Sequence, residues 1–351
     1  MRYLGDVLLI TPLLRSIRSA YPDVQLDVLV FRNTAAMLEG NPDINSVITT
    51  PNRPKFADYI QLLPRLFRHY DLAMVTQTGD RPFLYSVLAA PFRIAVVPPR
   101  NTTGWWKRFF IQCWTEFDNI DTHTVLQNLK LTDMLGIARN YTLTPPQANP
   151  IEPLAKRFDF LAGDTGYVVL HMHPQWVYKR WTRESWIEIG HYLNKLGLKL
   201  IVSGGSAQKE KDYVAGIAAE LPGDTVNIAG LVSLAQLAYI IAQARLFIGP
   251  DTGITHLAAA TGIPVIALFG PTNPVKWGPW PKGFEQDINP FEKKGSQQVN
   301  NISLIQGEGD CVPCYLEGCD RHRLSRSHCL DTLSAQKVKQ VIAATLHSPV
   351  S

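Results

Sequence analysis

Apolar positions recur along this chain in two alternating periods. From Val7 to Tyr21, Leu8, Pro12, Leu13 and Ile17 fall on one helical face with Arg15 and Arg18 outward, and Gln25 to Phe31 (QLDVLVF) then reads as a buried strand. The same alternation predicts a helix near Thr34 to Gly40, a strand near Ser46 to Thr49, a helix around Tyr59 to His69 and a strand at Leu72 to Thr76. Strand, helix and strand in succession imply a mostly parallel sheet with helices on its faces.

The rhythm stops after Tyr141. Thr142 to Pro153 (TLTPPQANPIEP) is rich in proline and polar residues, as an interdomain linker is, and places a boundary between residues 1–150 and 151–351. Beyond it the pattern restarts: strand Tyr167 to His171, helix Arg183 to Leu196, strand Lys199 to Ser203, helices Lys209 to Glu220 and Ser233 to Ala244, strand Leu246 to Gly249, helix Ile254 to Thr261, and strand Pro264 to Phe269. The expected fold is α/β, two doubly wound Rossmann-like domains facing a cleft.

One element is missing from this scheme. A doubly wound domain opens with a strand whose carboxyl end leads into the ligand loop, yet the Gly5-Asp6 turn is preceded only by Met1 to Leu4. The first strand is expected to be truncated, with a run of β-branched and aliphatic residues upstream completing the sheet.

Length and composition narrow the class. At 351 residues the chain suits two α/β domains of roughly 100 to 200 residues each. With 46% hydrophobic and 18% charged residues it is not disordered, collagenous or coiled-coil, and a formal charge of +4 is too small to argue for nucleic-acid binding. The longest stretch free of charged side chains, Thr252 to Val275, is broken by Gly253, His256, Gly262, Pro264 and Gly270, so no membrane span is expected. The opening residues lack a signal peptide, which points to the cytoplasm.

Three strings carry a family resemblance: RYLGDVLLITPLLRSIRSAYPDVQLDVLV, VYKRW after HMHP, and FIGPDTGITHLAAATGIPVIALFGPTNPVKWGP. Together they resemble the ADP-heptose lipopolysaccharide heptosyltransferases, family 9 of the glycosyltransferases. Within the family the likeness is greatest to members that add the third, branching heptose of the inner core. The resemblance implies a GT-B fold, an N-terminal acceptor domain, a C-terminal donor domain binding ADP-heptose, and inverting transfer to a core heptose without an obligatory metal. Two alternatives stay open: a non-catalytic nucleotide-sugar or lipopolysaccharide binding protein, and a transferase using another nucleotide sugar.

The residues themselves support part of this. Asp251-Thr252-Gly253 joins a strand to a helix, where unpaired N–H groups face an anion and a glycine lets a diphosphate approach the backbone. Capping of that helix is the plainer use of Asp251 or Thr252, and the resemblance assigns the loop to the donor's ADP. His256, on the helix's first turn, is either structural or a donor to phosphate. Lys179 in VYKRW is either a solvated loop cation or, as the resemblance implies, the group that neutralises the leaving diphosphate, in preference to Arg180.

After the strand ending in Gly204-Gly205, the resemblance leads to a ribose-binding carboxylate; Gln208 stands there instead, with Glu210 and Asp212 as substitutes. Val232 matches a position packed on adenine. Asp6 reads from its residue type as a helix cap, and from the resemblance as the general base that takes the acceptor hydroxyl's proton.

Two features lie outside these strings. Pro98 to Trp114 interleaves Arg100, Lys107 and Arg108 with Trp105, Trp106, Phe109 and Phe110, a pattern that suits a helix packing its aromatics inward or a peripheral contact with an anionic membrane. Cys311, Cys314, Cys319 and Cys329 offer the ligand inventory of a structural zinc with imperfect spacing, or simply reduced, packed thiols.

Overall fold

The computed structural model describes residues 3–100, 102–147, 152–161, 163 and 166–347. The chain divides into two compact units, Met1–Thr144 with Glu285–Asn289, and Pro145–Phe284 with Pro290–Ser351. Of the expected linker, residues 148–151 lie outside the described residues.

The first unit starts with helices α1 (Leu4–Leu8) and α2 (Thr11–Ala20), not one helix over Val7 to Tyr21. Pro12 explains the break: it has no N–H for the carbonyl of Leu8, and that oxygen accepts the Thr11 hydroxyl instead, at 2.8 Å. Leu4 is already helical, so no strand precedes Gly5 among the described residues. Strand β1 (Asp27–Phe31) leads into a 3-10 run, Arg32–Leu38, where an α-helix was expected, and then into β2 (Ser46–Thr50), α3 (Phe56–Leu66) and β3 (Leu72–Val75). Periodicity left α4 (Asp80–Ala89), β4 (Phe92–Val97), β5 (Cys113–Glu116) and α5 (Thr124–Asp133) unassigned.

These five strands are all parallel but form two sheets, β1 with β2 and β3-β4-β5. Leu13 and Ile17 of α2 pack with Ile94 and Val96 on one face, while Leu62, Leu66, Tyr85 and Ala89 of α3 and α4 pack with Ile48 on the other. The returning segment Glu285–Asn289 is pinned where Asn289 Oδ1 accepts the His123 amide at 2.8 Å and Asn289 Nδ2 donates to the Asp121 carbonyl at 2.7 Å.

The second unit runs α6 (Glu152–Arg157), β6 (Tyr167–His171), α7 (Arg183–Lys195), β7 (Lys199–Ser203), α8 (Gln208–Ala218), β8 (Val226–Asn227), α9 (Leu234–Ala242), β9 (Leu246–Pro250), α10 (Gly253–Thr261), β10 (Val265–Phe269), α11 (Pro274–Trp277), β11 (Gln297–Val299), β12 (Ile302–Gln306), α12 (His328–Asp331) and α13 (Ala335–His347). One seven-stranded sheet results, ordered β11-β12-β10-β9-β6-β7-β8, with only the edge strand β11 antiparallel. Strands β6, β9, β10 and β12 are buried at every residue because helices cover both faces, which is why β9 and β10 read as unbroken apolar runs and the others as mostly apolar ones. Trp181 and Trp186 are fully buried in that core, and the Trp181 indole donates to the Leu333 carbonyl at 2.7 Å.

Among the described residues no helix is long and apolar enough to cross a membrane.

Candidate active site

Strand order reverses between β6 and β9: the chain winds outward from β6 through β7 to β8, then returns to β9 and proceeds through β10 to β12. A reversal of this kind parts the loops at the carboxyl ends of the two central strands and leaves room there for a ligand. The loop after β6 carries His173 and the 3-10 turn Val177–Lys179, and the loop after β9 carries Asp251 and Thr252.

An ion pair bridges this point. Lys179 Nζ lies 2.6 Å from Asp251 Oδ2, with the lysine side chain 20% exposed and the aspartate 6%. Water screens the pair little, so each charge is held in place by the other. The Lys179 turn is itself braced from behind: the Val177 amide donates to the Arg323 carbonyl at 3.1 Å, and the Ser327 hydroxyl to the Tyr178 carbonyl at 2.7 Å. Both partners come from the cysteine-rich segment, so that segment fixes the angle of the turn.

Directly beside the pair, α10 begins. Thr252 is its N-cap and accepts the Thr255 amide at 3.3 Å on its hydroxyl and 3.1 Å on its carbonyl, while the amides of Gly253 and Ile254, the first two helical residues, have no carbonyl one turn back to receive them. The helix ends at Gly262, whose φ of 95° is left-handed and suits glycine. His256 is 5% exposed; burial, outweighing the nearby Asp251, pushes its pKa down to about 4, so the imidazole is neutral at pH 7.

A second polar group stands on the β6–β7 side. Arg180 donates from Nη2 to His173 Nε2 at 2.6 Å, and its guanidinium lies 4.7 Å over the ring of Tyr213. Since arginine cannot accept, the neutral His173 carries its proton on Nδ1. Burial first, and then Arg180, push the His173 pKa down to about 4. Glu210 Oε1 accepts the Gly205 amide at 2.7 Å, and burial raises this carboxyl's pKa despite that bond. A side chain at Gly205 would put its Cβ 2.7 Å from Glu210 Oε2, so glycine is what lets the carboxylate approach.

The structure thus brings together Lys179, Asp251, Thr252, Gly253 and His256. Gln208, by contrast, is exposed at the start of α8 and spends its amide N–H on Asp212 Oδ1 at 2.6 Å. Glu210 is the carboxylate tied into the strand edge. Val232 is half-buried just before the Ser233 cap of α9. The sequence did not single out His173 or Tyr213, because one histidine and one tyrosine carry no spacing signal; nor did it single out Lys276, which is fully buried in α11.

In the first unit, Asp6 sits inside α1, whose cap is Tyr3, and its Oδ2 lies 3.5 Å from Gln77 Nε2. It is therefore not the N-cap that residue type suggested.

Two further expectations are corrected. Lys107 is only 4% exposed and pairs with Asp80 at 2.7 Å, so it cannot meet a membrane. Arg108 is also drawn inward, to Glu116 at 2.7 Å and the Pro98 carbonyl at 2.8 Å, whereas Arg100 is exposed. The 3-10 turn Trp105–Phe110 is too tight for the aromatics and cations to segregate as on an α-helix.

The four cysteines are free thiols, and among the described residues no three His, Cys, Asp or Glu side chains converge as metal ligands. Burial, reinforced by the other three thiols, raises the Cys329 pKa to about 12 and keeps it protonated.

A largely parallel sheet with a helix amino terminus and a braced lysine at its switch point suits an α/β protein that binds an anionic ligand. The comparisons narrow the class. Residues 66–302 match glycosyltransferase family 9 (heptosyltransferase), and the chain belongs to that family. It is 30% identical over 297 residues to lipopolysaccharide heptosyltransferase 3 of Escherichia coli (strain K12), covering 82% of this chain and 85% of the relative. Among solved structures, a family 9 glycosyl transferase from Veillonella parvula DSM 2008 superposes with a TM-score of 0.77 at 20% identity over 99% of this chain and 95% of that one. The E. coli heptosyltransferase WaaC with ADP-2-deoxy-2-fluoro heptose gives 0.69 at 20% identity over 98% and 97%. The fold is GT-B, and the protein is a glycosyltransferase.

Proposed function

We propose that this enzyme transfers heptose from ADP-heptose to a heptose of the lipopolysaccharide inner core, with inversion, and adds the third, branching heptose. The observation that carries this is the Lys179–Asp251 pair beside the amino end of α10. Charge accumulates on the diphosphate as the sugar departs; an ammonium already held in position and a helix terminus stabilise that charge without reorganising. Asp251 positions Lys179, Gly253 admits the phosphates, and the neutral His256 on the first turn of α10 donates one hydrogen bond to phosphate. Glu210, with a lesser part for Gln208, accepts a ribose hydroxyl, and Val232 packs on the adenine. The second unit binds the donor and the first the acceptor, whose hydroxyl loses its proton to Asp6 as it attacks the anomeric carbon.

The reaction needs no added divalent metal, since Lys179 and the α10 terminus supply the positive potential. The same reading places the enzyme in the cytoplasm, at the inner face of the inner membrane. Exposed Trp105, Phe109 and Phe110, in the same segment as the exposed Arg100, support a peripheral contact there.

The test is incubation with ADP-heptose and heptose-deficient core lipopolysaccharide. The acceptor's mass should rise by one heptose, equally with and without EDTA. ADP binding without a mass change would refute the transfer. Loss of activity in EDTA and its return with magnesium would refute the metal-free mechanism alone.

A further inference from the structure

Exposed apolar side chains are concentrated in one stretch of the first unit. Of the twenty large hydrophobic residues exposed among the described residues, twelve lie between Phe56 and Phe110. Scattered singly, such residues are ordinary; gathered on one surface, they mark a place that meets something apolar.

Local structure does the gathering. Helix α3 carries Phe56, Tyr59, Ile60, Leu63 and its cap Phe67 in solvent, Phe56 at 80% exposure. Only Leu62 and Leu66 turn inward, to Ile48 and to Tyr85 and Ala89 of α4. The apolar stripe of α3 is thus wider than the face its neighbours cover. Helix α4 behaves alike, burying Phe83, Tyr85 and Ala89 and exposing Leu84, Val87 and Leu88. The 3-10 turn adds Trp105, Phe109 and Phe110, with Phe109 at 77%.

These elements lie on the same side of the strands. Ala95 and Val97 of β4 pack with Phe83 and Trp106, whereas the alternate residues Ile94 and Val96 pack with α2 on the opposite face. The Arg68 amide donates to the Leu88 carbonyl at 2.9 Å, which joins the end of α3 to the end of α4. The Phe83 ring lies 6.0 Å from that of Phe110, and Arg93 Nε donates to the Phe110 carbonyl at 2.6 Å, which sets the exposed Phe92 beside the turn. One continuous surface results.

Its charge has a single dominant sign. From Arg53 to Phe110 there are nine Arg and Lys residues against three Asp, in a chain whose formal charge is only +4. Arg53, Lys55, Arg65, Arg68 and Arg100 are exposed. Of the aspartates, Asp58 accepts the Lys55 amide at 2.7 Å and Asp80 pairs with Lys107. A second copy of the chain packed here about a two-fold axis would set this basic rim against itself, which is repulsive. An anionic lipid surface complements both the apolar residues and the rim.

We infer that the outward side of α3, α4 and the turn Trp105–Phe110 is the face by which the protein lies on an anionic membrane. The aromatic and aliphatic side chains enter the boundary between headgroups and acyl chains, and the exposed arginines and Lys55 meet lipid phosphates. The peripheral contact proposed above for one segment thereby becomes a face built from three elements. That a membrane is what this unit meets rests on the reading that the acceptor is lipopolysaccharide. The face is separate from the carboxyl edge where Asp6 lies beside Gln77, so docking leaves the proposed base uncovered.

The test is flotation of the full chain with vesicles of phosphatidylethanolamine and phosphatidylglycerol, beside vesicles of phosphatidylcholine alone. The protein should float with the anionic vesicles and be released as salt is raised. Substituting Phe56→Ser, Ile60→Ser and Phe67→Ser together should lower the partition at least about tenfold with the melting temperature unchanged, since these side chains are already in water. Arg65→Glu with Arg68→Glu should weaken binding to the anionic vesicles alone, which keeps the test decisive if the triple variant fails to fold. Leu231→Ser with Leu324→Ser, exposed in the second unit, should change nothing. Absence of flotation, or equal flotation by the triple variant, would overturn the inference. So would a dimer, formed without vesicles and lost in the triple variant, because a second copy would then be the occupant. Heptose transfer without flotation would sink this inference and leave the proposed function standing, whereas flotation without transfer would support the membrane face and count against the transfer.

Discussion

The two units solve the same topological problem to different degrees. In the second, the central strand β6 pairs with β9, buried at every residue, and with β7, buried at every residue but its first. In the first, β1 and β3 are half-buried: β1 alternates, and only Val75 of β3 is buried. The difference lies in pairing, since β1 and β3 each have a single strand neighbour and β6 and β9 each have two. A parallel strand gets its burial from the strands beside it as much as from the helices above and below. The difference also separates the chemistry. The loops proposed to hold the donor follow strands paired on both edges, while Asp6 lies in α1 beside Gln77, two residues past β3, which is paired on one edge.

The largest expected effect sharpens that separation. Asp6→Asn should reduce transfer by roughly 10²- to 10⁴-fold, as loss of a general base does, and leave ADP affinity as it was, whereas Asp251→Ala should weaken ADP binding. Calorimetry with ADP on both variants decides; equal losses would end the division of roles between the units.

Next come paired core truncations. Ile248→Ala in β9 should cost about 2 to 5 kcal/mol in urea unfolding, and Leu29→Ala, beside a cavity of about 570 Å³ lined by β1 and β3, about 1 kcal/mol or less, because its side chain already faces unfilled space. Equal costs would mean that the cavity is filled in solution and the contrast between the sheets is wrong.

Acid should act on the second unit. His171, His173 and His256 have pKa values pushed down to about 3, 4 and 4, in each case chiefly by burial. The unfolded chain therefore binds protons that the folded unit refuses. Stability is full above about pH 6.5 and falls as pH drops toward 4, by up to about 1.4 kcal/mol per pH unit for each buried histidine and less for the more open His173. Melting followed from pH 7 to 4 checks this, and His171→Asn should flatten the slope. A melting temperature independent of pH over that window would contradict the burial of these rings.

The smallest effect concerns the ribose. Gln208→Ala should change ADP affinity by no more than about twofold, as surface substitutions do, and Glu210→Ala by more. The reverse ranking would return the ribose contact to Gln208.

Much of the fold was legible because burial on both faces writes itself into the chain: Tyr167–His171 and Lys199–Ser203 are apolar runs whose ends the structure reproduces residue for residue. The Asp251-Thr252-Gly253 turn was legible for a related reason, since a strand running into a capped helix leaves amides facing outward wherever it occurs. Between Gln77 and Tyr141 legibility failed. Helices α4 and α5 have apolar residues too scattered around their axes for one face to stand out, so α4 to α5 went unassigned.

What only the tertiary structure decided is which side chains meet across distant loops. Lys179 and Asp251 are separated by 72 positions, and nothing in either motif says that the ammonium rests on the carboxylate. Lys107 looks like a surface cation until Asp80 covers it. Glu210 is tied to the strand edge through the Gly205 amide, and Gln208 is turned to Asp212. The sequence by itself determined the alternation of elements and the anion-ready turn, since each depends on a residue and its near neighbours along the chain. Ion pairing, burial of a charge and the order of strands in each sheet depend on neighbours that only folding supplies.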